Sequence, residues 1–545
     1  MKLKSFRSSA ALILTTLILM VAAATAQTYT DLFNFDRTSG VYPTGLLAQG
    51  RDGNLYGTVW EGGTNQCDGE GCGVVFKITP SGTLTVLHKF HGVDGSTPSG
   101  LTLGTDGKFY GTTEDGGANS YGTIFKITAG GTLTTLYSFM NGTDSAYPHA
   151  PPIQGIDGNF YGTSTDAAYE ITPSGTFTSL GTFTSLGPYF PDAPLLQGTD
   201  GNFYGTSVNG GSSSSDYSGT VFKMTPKGVV TIVYSFDGTD GAWPQAPLIQ
   251  GSDGNFYSTA SGGGDCGYGD GCGTLFKLTP QGAITVLHNF GDPNYPNDGT
   301  YPAAGLVQAT DGNFYGVTGG GGAAGSNGGV LFQITPAGAY SILYNFDGTH
   351  GAWPQSSPMQ HTNGKIYGLT SGGEKQDGVV YSFDMGLGPF VRLVSASGRV
   401  GQAMEVLGQG FTGATAVSFN GTAAIYTIAS DTFLGTTVPV GATTGFVTVT
   451  TPSGTLTSNQ EFRVTPQILS FTPPSGPAGM SVTITGNSLT QTTKVTFDSI
   501  KATTFTVDSD TQVTATVPTG AKTGLIGITT AGGSAPSPTT FTVTP

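Results

Sequence analysis

The chain has 545 residues, of which 10% are charged and 11% aromatic, and its formal net charge is −15. That acidity repels a phosphate backbone and argues against nucleic acid as a partner. The aromatic content argues against disorder despite 88 glycines, and no stretch past the N-terminus keeps a helical period, so the expected class is all-β.

At the N-terminus, Lys2, Lys4 and Arg7 make a positive region, Ala10 to Ala24 an apolar core, and Ala24-Thr25-Ala26 a small-residue cleavage site. This pattern predicts a signal peptide over 1–26, cleaved after Ala26. Loss of its three cations takes the formal charge from −15 to −18. The apolar core is short for a membrane span. No cysteine follows the cleavage site to accept lipid, and the chain ends in FTVTP without an apolar tail. The expectation is a bacterial protein that is secreted to the exterior or the periplasm, with no membrane span after cleavage.

A hexapeptide of the form DGNFYG then returns at Asp52, Asp106, Asp157, Asp200, Asp253 and Asp311, and as NGKIYG at Asn363. The spacings are 54, 51, 43, 53, 58 and 52 residues. Such a period belongs to propeller blades. The fifth copy reads as four short strands, Leu248 to Gln250, Phe256 to Ala260, Thr274 to Thr279 and Ala283 to Phe290. Ser-Asp-Gly-Asn and Thr-Pro-Gln-Gly mark tight turns after the first and third strands. The seventh copy runs out after three strands, whereas Tyr29 to Asp36, YTDLFNFD, matches the fourth-strand endings VYSFD and LYNFD elsewhere. The sequence therefore predicts a seven-bladed β-propeller over 27–387, closed by its N-terminal strand. Closure of this kind removes an open sheet edge.

The four cysteines fall in one kind of loop, between second and third strands: Cys67 and Cys72 bracket DGEG, and Cys266 and Cys272 bracket GYGDG. In an oxidising compartment each pair is expected to form a local disulfide. Loops this small gain about 2 kcal/mol on the chain-entropy estimate, so local pinning is their role. No histidine sits at ligand spacing beside either pair, and neither a metal site nor a cofactor is expected.

After Gly388 a longer period appears. SGRVGQAMEVLGQGF from Ser397 is echoed by SGPAGMSVTITGNSL from Ser475, and VPVGATTGFVTVTTPSG from Val438 by VPTGAKTGLIGITTAGG from Val517. Six or seven short Thr- and Val-rich strands per unit predict two small β-sandwiches, 388–465 and 466–545. These units resemble the immunoglobulin-like IPT/TIG domains. The repeat region, through DGNFYGT, GTVFKITPSGT and YSFDGTDGA, resembles the Gloeobacter/Verrucomicrobium tandem-repeat (GloVer, choice-of-anchor) family. That resemblance implies a bacterial exported protein and brings no activity with it.

Four-stranded blades put both tight turns on one face of the ring and the longer connections on the other. Here the longer connections vary, and variable loops on a rigid ring are where propellers usually bind. Six of the loops entering first strands carry an aromatic before a proline: Tyr42, Tyr147, Phe190, Trp243, Tyr301 and Trp353. Two readings follow. Either the rings stack on sugars, with Asp94, Asp144 and Asp240 accepting hydroxyl hydrogen bonds, or they plug gaps between blades while the acidic residues cap turns.

No H-E-x-x-H, G-x-S-x-G or P-loop spacing is present. His88 and His288 occupy a fourth-strand position held by Tyr137, Tyr234 and Tyr344 in other copies, and read as packing residues. His91, His149 and His350 lie in variable loops, and spacing gives them no partner carboxylate or serine. The D-G-T-D-G and D-G-T-H-G loops at Asp237 and Asp347 lack the oxygen ladder of a calcium loop and read as Asx turns. The expectation is a binding or adhesion protein whose partner is an extracellular glycan or a cell-surface protein. The alternative is a propeller enzyme, a polysaccharide lyase or hydrolase or one resembling streptogramin lyases. No catalytic residue is assigned.

Overall fold

The computed structural model describes residues 27–545 apart from 44, 68, 143, 184–186, 212–217, 266–271, 293–296 and 324–327. The expected signal segment therefore lies outside the described residues. Every described element is a strand, and no described helix is long and apolar enough to cross a membrane.

Seven four-stranded antiparallel sheets form the blades. Blade 5 is representative: Ile249–Gln250, Phe256–Ala260, Thr274–Leu278 and Ile284–Asn289 lie in sequence order. Its second strand is buried throughout and its third nearly so, whereas the fourth alternates. Middle strands covered on both faces are what face-to-face stacking of blades requires. Blade 7 contains Met359–Gln360, Ile366–Thr370 and Val379–Asp384, and its outer strand is Thr28–Asn34. That strand pairs antiparallel with Val379–Asp384, Tyr29 opposite Phe383 and Asn34 opposite Val379. The N-terminal strand closes the ring.

The hexapeptide is a seam between blades. In the first six copies its Tyr hydroxyl donates to its own Asp, as in Tyr161 to Asp157 at 2.7 Å and Tyr257 to Asp253 at 2.8 Å. In the first five copies the same ring packs against the hexapeptide Phe of the next blade, while the blade after Tyr315 has Ile366 at that position. Centroids are 4.0 Å apart for Tyr56 and Phe109, 3.8 Å for Tyr110 and Phe160, and 4.2 Å for Tyr257 and Phe314. Such pairs contribute about 0.5–1.5 kcal/mol each beyond the area they bury. A second seam is a ring of glutamines at the ends of the first strands. The side-chain oxygen of Gln154, Gln197, Gln250, Gln308 or Gln360 accepts the turn N–H of Thr105, Ile156, Thr199, Ser252 or Thr310 in the preceding blade. Gln49 does the same for Thr362 of blade 7. Blade 2 has Leu103 at this position, and there Arg51 of blade 1 donates to the Thr105 carbonyl instead, at 3.1 Å.

Two sandwiches follow, with one topology. The first pairs Arg392–Leu393, Ala403–Leu407, Phe433–Thr437 and Tyr426–Ser430 in one sheet, against a second sheet built on Gly445–Thr451 and Gly454–Val464. The second repeats this strand order from Gln467–Thr472 to Gly533–Val543. Buried Phe419, Leu434, Val447 and Phe462 in one core correspond to Phe497, Val513, Ile526 and Phe541 in the other.

The first sandwich docks on the tight-turn face. Arg51 of blade 1 pairs with Glu405 and lies 4.8 Å from the Phe433 ring centroid, and Thr432 donates to the Arg51 carbonyl at 2.8 Å. Gln409 donates to Thr362 of blade 7 at 2.8 Å, and Arg463 reaches the Thr199 carbonyl of blade 4 at 2.6 Å. These contacts join the sandwich to blades 7, 1 and 4 of the ring. The departure from DGN at Asn363 belongs to this junction, since Thr362 also accepts the Gln409 bond and its carbonyl takes the Phe390 N–H.

Candidate functional site on the variable-loop face

With the tight-turn face occupied by the first sandwich, the opposite face carries the exposed groups. Its regular element is a dipeptide, X-Pro, at the entry to every first strand. The X residues are Tyr42, Thr97, Tyr147, Phe190, Trp243, Tyr301 and Trp353, with φ of 58, 55, 54, 55, 54, 55 and 52°. Left-handed backbone at a non-glycine residue costs about 1–2 kcal/mol. Seven repetitions show that the surroundings enforce it. The X amide bonds backwards to the preceding blade, as in Trp243 to the Ser218 carbonyl at 2.9 Å and Trp353 to that of Gly328 at 3.2 Å. The X carbonyl accepts from its own blade, from Ser261 and Ser371 in those two cases. Tyr42, Phe190, Trp243, Tyr301 and Trp353 are thus backbone staples between neighbours, whereas in blade 3 Thr165 donates to the Ala146 carbonyl rather than to that of Tyr147.

The proline, and not the aromatic, fills the gap between blades. A Cβ added to Gly273 would stand 2.3 Å from Pro302 Cδ, and one on Gly378 would stand 2.3 Å from Pro43 Cδ. The rings are left outside. Relative exposure is 36% for Trp243, 43% for Trp353, 56% for Tyr301, 40% for Tyr42 and 36% for Tyr147, while Phe190 is half-buried beside exposed Tyr189. Trp60, in the second-to-third loop of blade 1, is exposed too, so all three tryptophans of the chain lie on this face.

The acidic residues of the entry loops are engaged within those loops. Asp94 accepts from His88 and from the His91 amide, both at 2.8 Å. Asp144 accepts from Tyr137 at 2.9 Å and from the Met140 and Gly142 amides, and Asp240 from Tyr234 and the Asp237 amide. Burial opposes ionisation of Asp94 and Asp144, but these hydrogen bonds outweigh it and hold both carboxyls below the usual range. Burial and then Asp144 push the Tyr137 phenol up to about 12. His288 is buried, shares Asp298 at 2.9 Å and stacks on Tyr340. Asp237 and Asp347 cap their own turns through the amides of Thr239 and Thr349. Among the described residues no cluster of metal-ligating side chains occurs.

Two groupings escaped the sequence. His149 Nδ1 lies 3.4 Å from Glu114 Oε1, across a blade boundary that spacing could not bridge. Burial disfavours its charged form, yet Glu114, Asp192 and Asp115 together raise the pKa. Asp192 and Asp115 are themselves raised, chiefly by burial. The second is a cavity of about 430 Å³ between blades 6 and 7, lined by Asp347, Thr349, Trp353, Gly372, Glu374 and Gln376 among others. Of the cysteines, Cys67 and Cys72 form the expected disulfide. Cys272 is disulfide-bonded as well, and its expected partner Cys266 lies outside the described residues.

Comparison with known proteins places the chain in a family. The Gloeobacter/Verrucomicrobia repeat matches residues 18–169, 167–306 and 266–422, and the IPT/TIG domain matches 466–543. The first sandwich has the same strand order, but the IPT/TIG match covers the second alone. No curated protein matches the chain. Among solved structures it is similar to a streptogramin B lyase, with 16% identity, 66% of this chain and 99% of that one covered, and a TM-score of 0.45. It is similar also to a gluconolactonase from Xanthomonas campestris, with 12% identity, coverage of 66% and 90%, and a TM-score of 0.35. A surface glycan-binding protein from Prevotella bryantii gives 20% identity, coverage of 28% and 41%, and a TM-score of 0.22. The chain belongs to the Gloeobacter/Verrucomicrobia repeat family and carries an IPT/TIG domain at residues 466–543.

Proposed function

We propose that this is a secreted or cell-surface binding or adhesion protein whose propeller engages an extracellular glycan through its variable-loop face. The sandwiches serve as spacers on the opposite side. The observation that carries this reading is the set of exposed rings on rigid left-handed stems. Flat aromatic faces fixed on a pre-organised frame bind sugars without an ordering cost at the moment of contact. The Cys67–Cys72 disulfide supports an oxidising compartment. A glycan array and an insoluble-polysaccharide pull-down test it, comparing the mature protein with the Trp243→Ala, Trp353→Ala double variant. Retention that survives the double substitution rejects the platform.

A second reading, catalysis at the same face, draws on the His149, Glu114, Asp115 and Asp192 grouping, where an imidazole and three carboxylates perturb one another. Release of soluble product from a polysaccharide, abolished by His149→Gln, supports it. Absence of product with binding intact rejects it.

A further inference from the structure

The cavity between blades 6 and 7 narrows the class of glycan. Gly372 lets the Trp353 ring lie against the backbone, because a Cβ there would stand 3.1 Å from Trp353 Cε3. One part of the indole thus rests on the loop, and the ring is 43% exposed. Beside it stand two exposed polar side chains, Glu374 and Gln376. A carboxylate accepts two vicinal hydroxyls, an amide donates and accepts, and an indole face meets the C–H groups of a pyranose ring.

The charge in the cavity is acidic. Asp347 is held ionised by the amides of Thr349 and His350, and its second oxygen faces His350 Nδ1 at 2.9 Å. Glu374 acts on the same imidazole, so two carboxylates share one histidine and the cleft keeps a net negative charge. The basic residue of that loop, Lys375, is not among the lining side chains. A uronate or sulfate seated on Trp353 would meet these carboxylates with no cation among the lining side chains to receive it, a like-charge contact that disfavours its binding.

Building on the glycan-binding reading, we infer that the Trp353 cleft takes a neutral glycan with free vicinal hydroxyls and excludes uronic-acid and sulfated polysaccharides. Affinity electrophoresis of the full mature chain in gels holding hydroxyethyl cellulose, galactomannan, polygalacturonate or alginate tests this at fixed ionic strength. The expected result is retardation by at least one neutral polymer and none by the two polyanions. Trp353→Ala weakens retardation at least tenfold and Glu374→Gln between two- and tenfold. Glu374→Lys, on an exposed side chain, gains retardation by polygalacturonate. Melting curves check that each variant is folded. Wild-type retardation by a polyanion, lost in Trp353→Ala, overturns the neutral class and leaves the platform standing. Retardation untouched by Trp353→Ala in every gel, or no retardation in any, overturns the glycan-binding reading and this inference with it.

Discussion

Tyr29, in the strand contributed by the N-terminus, stacks on Tyr344 of blade 6 with ring centroids 3.9 Å apart and planes 2° from parallel. Its hydroxyl donates to the His350 carbonyl at 2.6 Å. The ring is therefore latched by side chains as well as by the strand ladder. Tyr29→Ala should destabilise the protein by about 1–3 kcal/mol, read as a lower urea midpoint, and Tyr29→Phe by less. An unchanged midpoint in Tyr29→Ala would mean that the ladder alone holds the seam.

The staple geometry separates a gap-filling role for the tryptophans from an exposed one. Because Trp243 and Trp353 sit at φ of 54° and 52°, glycine relieves backbone strain there. Trp243→Gly and Trp353→Gly should leave the melting temperature unchanged or raised while binding falls. A ring packed between blades would instead cost about 3–5 kcal/mol on truncation.

Arg51 holds the first sandwich to the ring through Glu405 and Phe433. Burial raises the Glu405 carboxyl, and Arg51 opposes that shift. Removal of the guanidinium strands a half-buried acid, at a cost of about 2 kcal/mol once the partial exposure of the pair is allowed for. Arg51→Ala should free the sandwich, seen as a larger radius of gyration in small-angle scattering and faster proteolysis near residues 385–389.

Several turn carboxyls are held low. Thr38 and Ser39 hydrogen bonds lower Asp36 to about 2. Burial works against Asp253, but Lys277, Asn255 and Tyr257 outweigh it and depress the carboxyl further. Asp106 and Asp200 follow the same pattern, with a lysine, Lys108 or Lys223, among the groups that lower each of them. Folded values below the unfolded value of about 3.9 mean stability that is fully present above it and lost as pH falls through the folded values. Thermal stability should stay flat on this account down to about pH 5 and decline between about pH 4 and pH 2. Asp253→Asn should flatten part of that decline.

Much of the architecture was legible because it is local and repeated. The DGN and TPxG turns and the recurring strand segments such as TLFKL at Thr274–Leu278 fix the blade. The orphan fourth strand at Tyr29 fixed the closure. In the fifth blade the first strand is shorter than read, the paired Ile249–Gln250 rather than Leu248 to Gln250, whereas that of the second blade runs over Ser96–Leu103. The glutamine ring was visible as a recurring Gln but had no local meaning, since its partners lie a blade away. Arg51 with Glu405 and His149 with Glu114 join residues whose loops meet only after folding, and no spacing rule reaches them. The exposure of Trp353 depends on Gly372, a glycine like many others in the chain until the indole is seen against it.

All three tryptophans, Trp60, Trp243 and Trp353, lie on the variable face, so intrinsic fluorescence reports on that surface directly. The decisive measurement is a titration of the mature protein with the glycan it retains most tightly, following emission and acrylamide quenching, in parallel with the Trp243→Ala, Trp353→Ala variant. The account predicts a saturable blue shift with protection from quencher in the wild type, and loss of binding in a variant that melts normally. Undiminished glycan retention by that variant would contradict it.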